Sequence, residues 1–267
     1  MRQTLDNAWK STILGILSHG MEVSPRGKLT KELAQHTVAV GMRYPVLTVK
    51  DRQLSYRFMA AEAFWILSGD DTVAGIAPWN SRIAEFSDDG ERFFGAYGPK
   101  IVGQLDYVVD KLTSDQDSRQ AGLTIWRECP PQTKDVPCTI AAFANIRGGK
   151  VNIHVFMRSS DVWLGLPYDV FNFSMFGHLV CAHLNNRNLE VEPGTLYLTA
   201  ASSHLYEPNW EDARKCAGGL QPVGVETPEM LYRDPVHLMQ TLQLLRDTRP
   251  GDPLRWWEAN QSCGGVR

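Results

Sequence analysis

The sequence has few cysteines, no long apolar run and no surplus of positive charge, and each lack removes a class of protein. Its five cysteines, Cys129, Cys138, Cys181, Cys216 and Cys263, are odd in number and form no CxxC pair. That usage supports neither a disulfide framework nor a zinc site, so no metal and a reducing, cytoplasmic setting are expected. No apolar stretch approaches the ~20 residues of a membrane-spanning helix. The opening MRQTLDNAWKSTILG places charges where a secretory signal carries its apolar core. Lys plus Arg number 27 against 30 Asp plus Glu, a net charge of −3. A dedicated duplex-binding protein shows the opposite balance, so no stable nucleic-acid partner is expected. Repeats and low-complexity tracts are absent, which excludes solenoids and propellers. There is no G-x-G-x-x-G, P-loop or G-x-S-x-G motif.

What is present is ordinary globular composition, 43% hydrophobic and 21% charged over 267 residues. Without a linker, the chain reads as one domain, 1–267. Residues 56–68 (YRFMAAEAFWILS) read as a buried helix stopped by Gly69-Asp70, 70–98 as a loop-rich insertion, and 101–113 as an amphipathic helix. From 122 the pattern turns to strands: GLTIW, TIAAFANI, KVNIHVFM and, later, TLYLTAAS at 195–202. Helices return at 168–184 and 235–246. Helices and strands mix without regular alternation, so the class is α+β.

Gly148-Gly149 suggests a two-residue hairpin turn, which sets Thr139 opposite Arg158 and Cys138 opposite Ser159. A cysteine beside a guanidinium is a plausible nucleophile, because a nearby cation favours the thiolate. By itself Cys138 reads equally as a small core residue, the commoner role of a lone cysteine. Downstream come Arg158-Ser159-Ser160-Asp161, a Gly165-Leu166-Pro167 turn, and Asp169 in the first turn of a helix, where the dipole alone accounts for an acid. Glu62, inside an apolar helix, is either a carboxylate tuned for proton transfer or the helix's polar edge. His204 and Tyr206 stand at a strand end without an assigned task.

Together these residues form a pattern. MRSSDVWLGLPYDVFNFSM (157–175) closely resembles the nucleotide-binding signature of the thymidylate synthase family. So do GDD (69–71), AYG (96–98), DQDSRQ (115–120), PC (137–138) and SSHLY (202–206), in family order across about 70% of the chain. The resemblance implies a thymidylate synthase-like fold, a mixed sheet with packed helices. It implies Cys138 as the nucleophile adding to carbon 6 of a pyrimidine, and Arg158, Ser159 and Ser160 on the nucleotide phosphate with Arg26 closing over it. Arg119 would reach the phosphate of a partner subunit, making an obligate homodimer. His204 and Tyr206 would hold the sugar, Glu62 and Tyr97 the proton-moving waters, and Asp161 the base and the site's water. Methylenetetrahydrofolate would be co-substrate, bordered by Glu62, Ile83, Asp161 and Gly165.

Departures from the family pattern carry the finer expectation. Asp169 replaces the Asn of thymidylate synthases, and a carboxyl group suits cytosine, accepting from its amine and sharing a proton with its ring nitrogen. Each mispaired buried polar group costs about 1–3 kcal/mol, so this position can choose the base. Thr139 replaces a His. Asp169 and Thr139 together resemble the deoxycytidylate hydroxymethylases of phages that modify their cytosines. Gln120 replaces the second Arg of the family's arginine pair. Ile83 falls where a tryptophan covers the folate pocket in the methylating enzymes, and SCGGVR does not match their apolar tail. The expectation is 5-hydroxymethylation of (deoxy)cytidine monophosphate. The alternatives are a 5-methyl product, a uridylate-acting enzyme, or an idle homologue that binds nucleotide or RNA.

Overall fold

The computed structural model describes residues 4–219, 230–232 and 234–247. Period-two patterning builds its sheet. In β5 (Lys150–Met157), Val151, Ile153, Val155 and Met157 point inward while Asn152, His154 and Phe156 point out. Gly148 and Gly149 both take positive φ, which a mirror-image hairpin turn requires, and join β5 to β4 (Thr139–Arg147). β4 pairs on its other side with the short β3 (Gly122–Thr124). β5 lies parallel to the long β7 (Glu192–Tyr206), which pairs antiparallel with β2 (Thr30–Gly41). β1 (Met21–Val23) edges β2, and the two-residue β6 (Ser160–Asp161) runs parallel to the end of β7. The result is a mixed sheet ordered β1-β2-β7-β5-β4-β3, with β6 branching from β7.

Helices cover one face. The central one, α5 (Leu166–Asn185), is apolar on nearly every side and buried accordingly, packed on β5 and β7 and against other helices. Two of those helices are α2 (Tyr56–Leu67), capped by the Ser55 side chain, and α4 (Gly98–Ser114). The stripe Ile101, Leu105, Val108, Val109 and Leu112 on α4 faces the core as its spacing requires. The segment between them contains the single-turn α3 (Val73–Ile76). α1 (Leu5–His19) packs on β2, with α6 (Trp210–Gly218) beside it, and α7 (Pro235–Asp247) lies on α2.

The hairpin register departs from the expected one at its open end. From Arg147↔Lys150 to Ala141↔Phe156 the pairing follows a two-residue turn, but a bulge then makes Thr139 face Met157. The cause is a neighbouring segment: the carbonyl of Ile140 accepts from the N–H groups of both Ile125 and Trp126, leaving one residue of β4 out of step. Cys138 therefore stands opposite Arg158, whose N–H donates to the Cys138 carbonyl at 2.8 Å, and Thr139 does not face Arg158. The strand expected at 195–202 extends over Glu192–Tyr206, which carries His204 and Tyr206 within it.

Candidate active site

Five elements converge on Cys138. The bulge ends β4 with the cysteine next to the last residues of β5, so the Ser159 hydroxyl donates to Cys138 Sγ at 3.8 Å. The Arg158 side chain folds over the same corner, its Nε donating to the Pro137 carbonyl at 3.0 Å and its Nη2 to the Val136 carbonyl at 2.9 Å. Nη1 reaches the Ser159 Oγ at 3.2 Å. The exposed guanidinium is thus fixed at the rim with its charge still available to an anion. Ser160 is buried, and its Oγ has no hydrogen-bond partner among the described residues.

Tyr97, the N-cap of α4, enters from another side. Its Oη accepts from the Thr139 N–H at 3.2 Å. A side chain is excluded next to it: a Cβ on Gly98 would lie 2.6 Å from the Asp70 carbonyl oxygen, so the GDD turn and the AYG turn interlock through bare backbone. α5 contributes Asp169 from its first turn and α2 contributes Glu62. Gly165 lies beside them, where a Cβ would reach ordinary contact, 3.4 Å, with Asp169 Oδ2 and the Asp161 carbonyl. Asp161 accepts from the N–H groups of Trp163 and Leu164, each at 2.9 Å, and pairs by register with His204. His204 meets the Tyr206 ring edge-on at 5.2 Å.

The electrostatics divide these groups. Burial pushes the Asp169 carboxyl up to about 8, with the charges of Glu62 and Asp161 adding to the shift. Burial raises Glu62 to about 7, opposed by the amide of Asn172, which donates to Glu62 Oε2 at 2.8 Å. Asp161 is also raised by burial, against its two backbone hydrogen bonds and the pull of His204 and Arg52. Burial raises Tyr97, with smaller contributions from Asp169 and Cys138. Cys138 corrects an expectation. Arg158 and Ser159 do pull its thiol down, but burial outweighs them and Asp169 and Asp135 add to the rise, so the net shift is upward. The surroundings of Cys138 in the ligand-free protein thus favour the thiol over the thiolate.

Comparison with known proteins matches this arrangement. The sequence model of one family, described as Thymidylate synthase, covers residues 7–219, most of the chain. The chain belongs to the thymidylate synthase family. It is 28% identical over 242 residues to a deoxyuridylate hydroxymethyltransferase of Bacillus phage SP01, covering 80% of this chain. It spans only 60% of that relative's length. It is 26% identical over 205 residues to a thymidylate synthase of Pseudomonas fluorescens, covering 67% of this chain and 71% of the relative.

For this family member, the remaining sequence-derived residues fall in three places. Arg26 is exposed in the turn before β2, with φ 55°, and Thr30 of that strand pairs with Tyr206, so the turn lies by His204 and Tyr206. Arg119 is exposed between α4 and β3, level with the closed end of the β4–β5 hairpin, where Ala144 N–H donates to Ala121 O. Cys138 is at the other end of β4, roughly 20–25 Å along the strand, so one chain does not bring Arg119 to its own cysteine. Ile83 is half-buried against the core, in the same segment as Trp79, whose indole N–H donates to the Arg246 carbonyl at 3.1 Å. The SCGGVR terminus lies outside the described residues. Among the described residues no His, Cys, Asp and Glu cluster could hold a metal ion, and no helix is long and apolar enough to cross a membrane. Asn172 was not singled out from the sequence. Its signal was a lone amide in the apolar run VFNFSM, one helical turn after Asp169.

Proposed function

We propose that the protein transfers a one-carbon unit to carbon 5 of (deoxy)cytidine monophosphate and releases 5-hydroxymethylcytidylate. One feature carries the choice of base: a carboxyl, Asp169, stands in the site where burial and the charges of Glu62 and Asp161 raise it to about 8 and so favour its neutral form. A neutral carboxyl group donates to a bare ring nitrogen and accepts from an adjacent amine, the edge that cytosine offers and uracil reverses. Arg158, Ser159 and Arg26 would hold the phosphate, and His204 and Tyr206 the sugar. Methylenetetrahydrofolate, as co-substrate against Ile83, Gly165, Glu62 and Asp161, supplies the carbon at the oxidation level of formaldehyde.

The chemistry follows from the groups around Cys138. On losing its proton, the thiolate forms an S–C bond to carbon 6, and the electron pair of the ring double bond moves to carbon 5. Carbon 5 takes the one-carbon unit, its own proton leaves through the waters held by Glu62 and Tyr97, and tetrahydrofolate departs. Water then adds to the resulting exocyclic methylene, and expulsion of the thiolate restores the ring. Covalent catalysis divides one difficult substitution into easier steps. Ile83 supports water over hydride as the second nucleophile, since hydride transfer requires a dry, covered pocket.

The working form is a homodimer. On the sheet face away from the helices, Phe143, Phe156 and Tyr197 are 36–43% exposed, and Ile140 at the bulge is 40% exposed. Phe143 packs edge-on against Phe156, and His154 stacks on Tyr197 at 5.0 Å. Such a patch suits a second copy of the chain. It would let Arg119 complete the partner's phosphate site.

Turnover with dCMP and dUMP decides the reading. The expected result is a large preference for dCMP, a product heavier by one hydroxymethyl group in place of hydrogen, and no rise in dihydrofolate absorbance. Equal use of both bases removes the case built on Asp169. A second reading, uridylate hydroxymethylation, is favoured by the name of the phage relative. It predicts the same product class with the base preference inverted.

A further inference from the structure

We propose that Asn172 is a positioning residue that links the two acids of the site: its amide N–H fixes Glu62, and in the ligand-free protein its Oδ1 is the acceptor for the proton that Asp169 later presents to the nucleotide base. This rests on the reading above that Glu62 and Asp169 handle protons during one-carbon transfer. Asn172 is 6% exposed, in the middle of α5. Nδ2 donates to Glu62 Oε2 at 2.8 Å, while Oδ1 is buried with no hydrogen-bond partner among the described residues. A buried carbonyl oxygen left unpaired is uncommon and costly, and it calls for a donor. The residue on the same helical face one turn earlier is Asp169, at the i, i+3 spacing that brings side chains together. Held as a neutral acid, its carboxyl group can supply that donor.

The amide's two ends are not equivalent, and that gives the arrangement direction. An ionised Glu62 accepts only from N–H, so it turns Nδ2 toward itself and Oδ1 away. The acceptor end favours a proton on Asp169, and the donor end favours its absence from Glu62. One side chain thereby separates a pair of acids that burial alone would leave alike, making Glu62 the base and Asp169 the acid. The groups facing the pair are known. Asp161 on β6 and Glu62 itself act on Asp169, and Asp169 in turn acts on Tyr97 ahead of α4 and on Cys138 just before β4. Tyr168 on α5 feels Glu62. Arg246 of α7 lies over Phe64 and Trp79, on neighbouring side chains.

The test is the pH dependence of kcat/KM, which reports the free enzyme, in Asn172→Leu, measured with whichever nucleotide the wild type turns over. The acid limb, reporting a base that must be ionised, should move up, and the alkaline limb, reporting an acid that must be protonated, should move down. kcat should then fall about tenfold or more, while KM for the nucleotide changes far less because the phosphate and sugar contacts are untouched. Asn172→Ser, whose hydroxyl can both donate and accept, should return the limbs toward wild type. Asn172→Asp loses the donor and adds a third carboxyl whose charge acts on both neighbours, so it should raise the acid limb and move the alkaline limb up instead of down. Infrared titration of the ligand-free protein, assigned with Glu62→Gln and Asp169→Asn, reads the same two carboxyls without turnover. It should show their separation narrowing in Asn172→Leu. Limbs and carboxyl bands that stay at their wild-type positions overturn the role of Asn172, even where kcat drops. An inverted base preference overturns the cytidylate reading and leaves this test intact. If Asn172→Leu does not fold, Asn172→Asp carries the test with Asn172→Ser as its wild-type-like reference, and limbs that coincide in the two overturn the proposal.

Discussion

At the residue scale the site is a set of acids kept near neutrality by burial, and Asp169 shows the consequence for stability. An unfolded aspartate titrates near ~4, whereas folded Asp169 is raised to about 8. The folded state therefore binds that proton more tightly. Its contribution is fully present below about pH 4 and is lost as pH climbs toward about 8. Asn at this position has the same shape and nothing to titrate. The melting temperature of Asp169→Asn minus that of wild type should accordingly grow from about pH 5 to about pH 9. Calorimetry across that range checks it, and a constant difference would show that the carboxyl is not destabilised by its surroundings. Most of these residues were legible from motif order. Cys138, Arg158, Glu62 and Asp169 each have a chemical type that attracts attention. Asn172 does not: an amide inside an apolar helix reads as an edge residue until its orphaned oxygen is seen.

At the element scale, legibility followed the strength of periodicity. The β4–β5 hairpin and helix α5 were readable because one alternates cleanly around Gly-Gly and the other is apolar throughout. β2 was not, since only Thr30, Val38 and Val40 of its twelve residues are buried and Gln35 breaks it at φ 49°. Its conformation comes from eleven paired positions along β7, a tertiary influence that no local window contains. α1 carried a readable stripe in Leu5, Trp9, Ile13 and Ile16, all fully buried. The bulge at Ile140 was invisible because its cause, the double demand of Ile125 and Trp126 on one carbonyl, lies in another segment. The interlock of the GDD and AYG turns gives this scale its prediction. A Cβ on Gly98 would meet the Asp70 carbonyl at 2.6 Å and the Ile66 carbonyl at 3.0 Å, and neither is a flexible side-chain end. Gly98→Ala should cost about 1–3 kcal/mol in denaturant unfolding. It should also lower kcat by displacing Tyr97 from Thr139. Wild-type values for both would show that the turns slide freely.

At the scale of the whole molecule, the proposed reading must account for Arg119 lying at the far end of β4 from Cys138. In the proposed homodimer a two-fold axis through the outward face of the sheet would account for it, because antiparallel stacking of two hairpins would bring the closed end of one near the open end of the other. Arg119→Glu and Cys138→Ser should each be inactive alone, the first lacking a phosphate contact and the second lacking the nucleophile. A heterodimer of the two holds one site with both residues intact and one with neither. Equal mixing with free subunit exchange should therefore restore about a quarter of wild-type activity, since half the dimers are mixed and each has one working site of two. Phe143→Lys, which places a charge in the outward aromatic patch, should yield monomers that retain their fold and lose turnover. Full exchange by native mass measurement with no return of activity would show that each chain completes its own site, and would remove Arg119 from it.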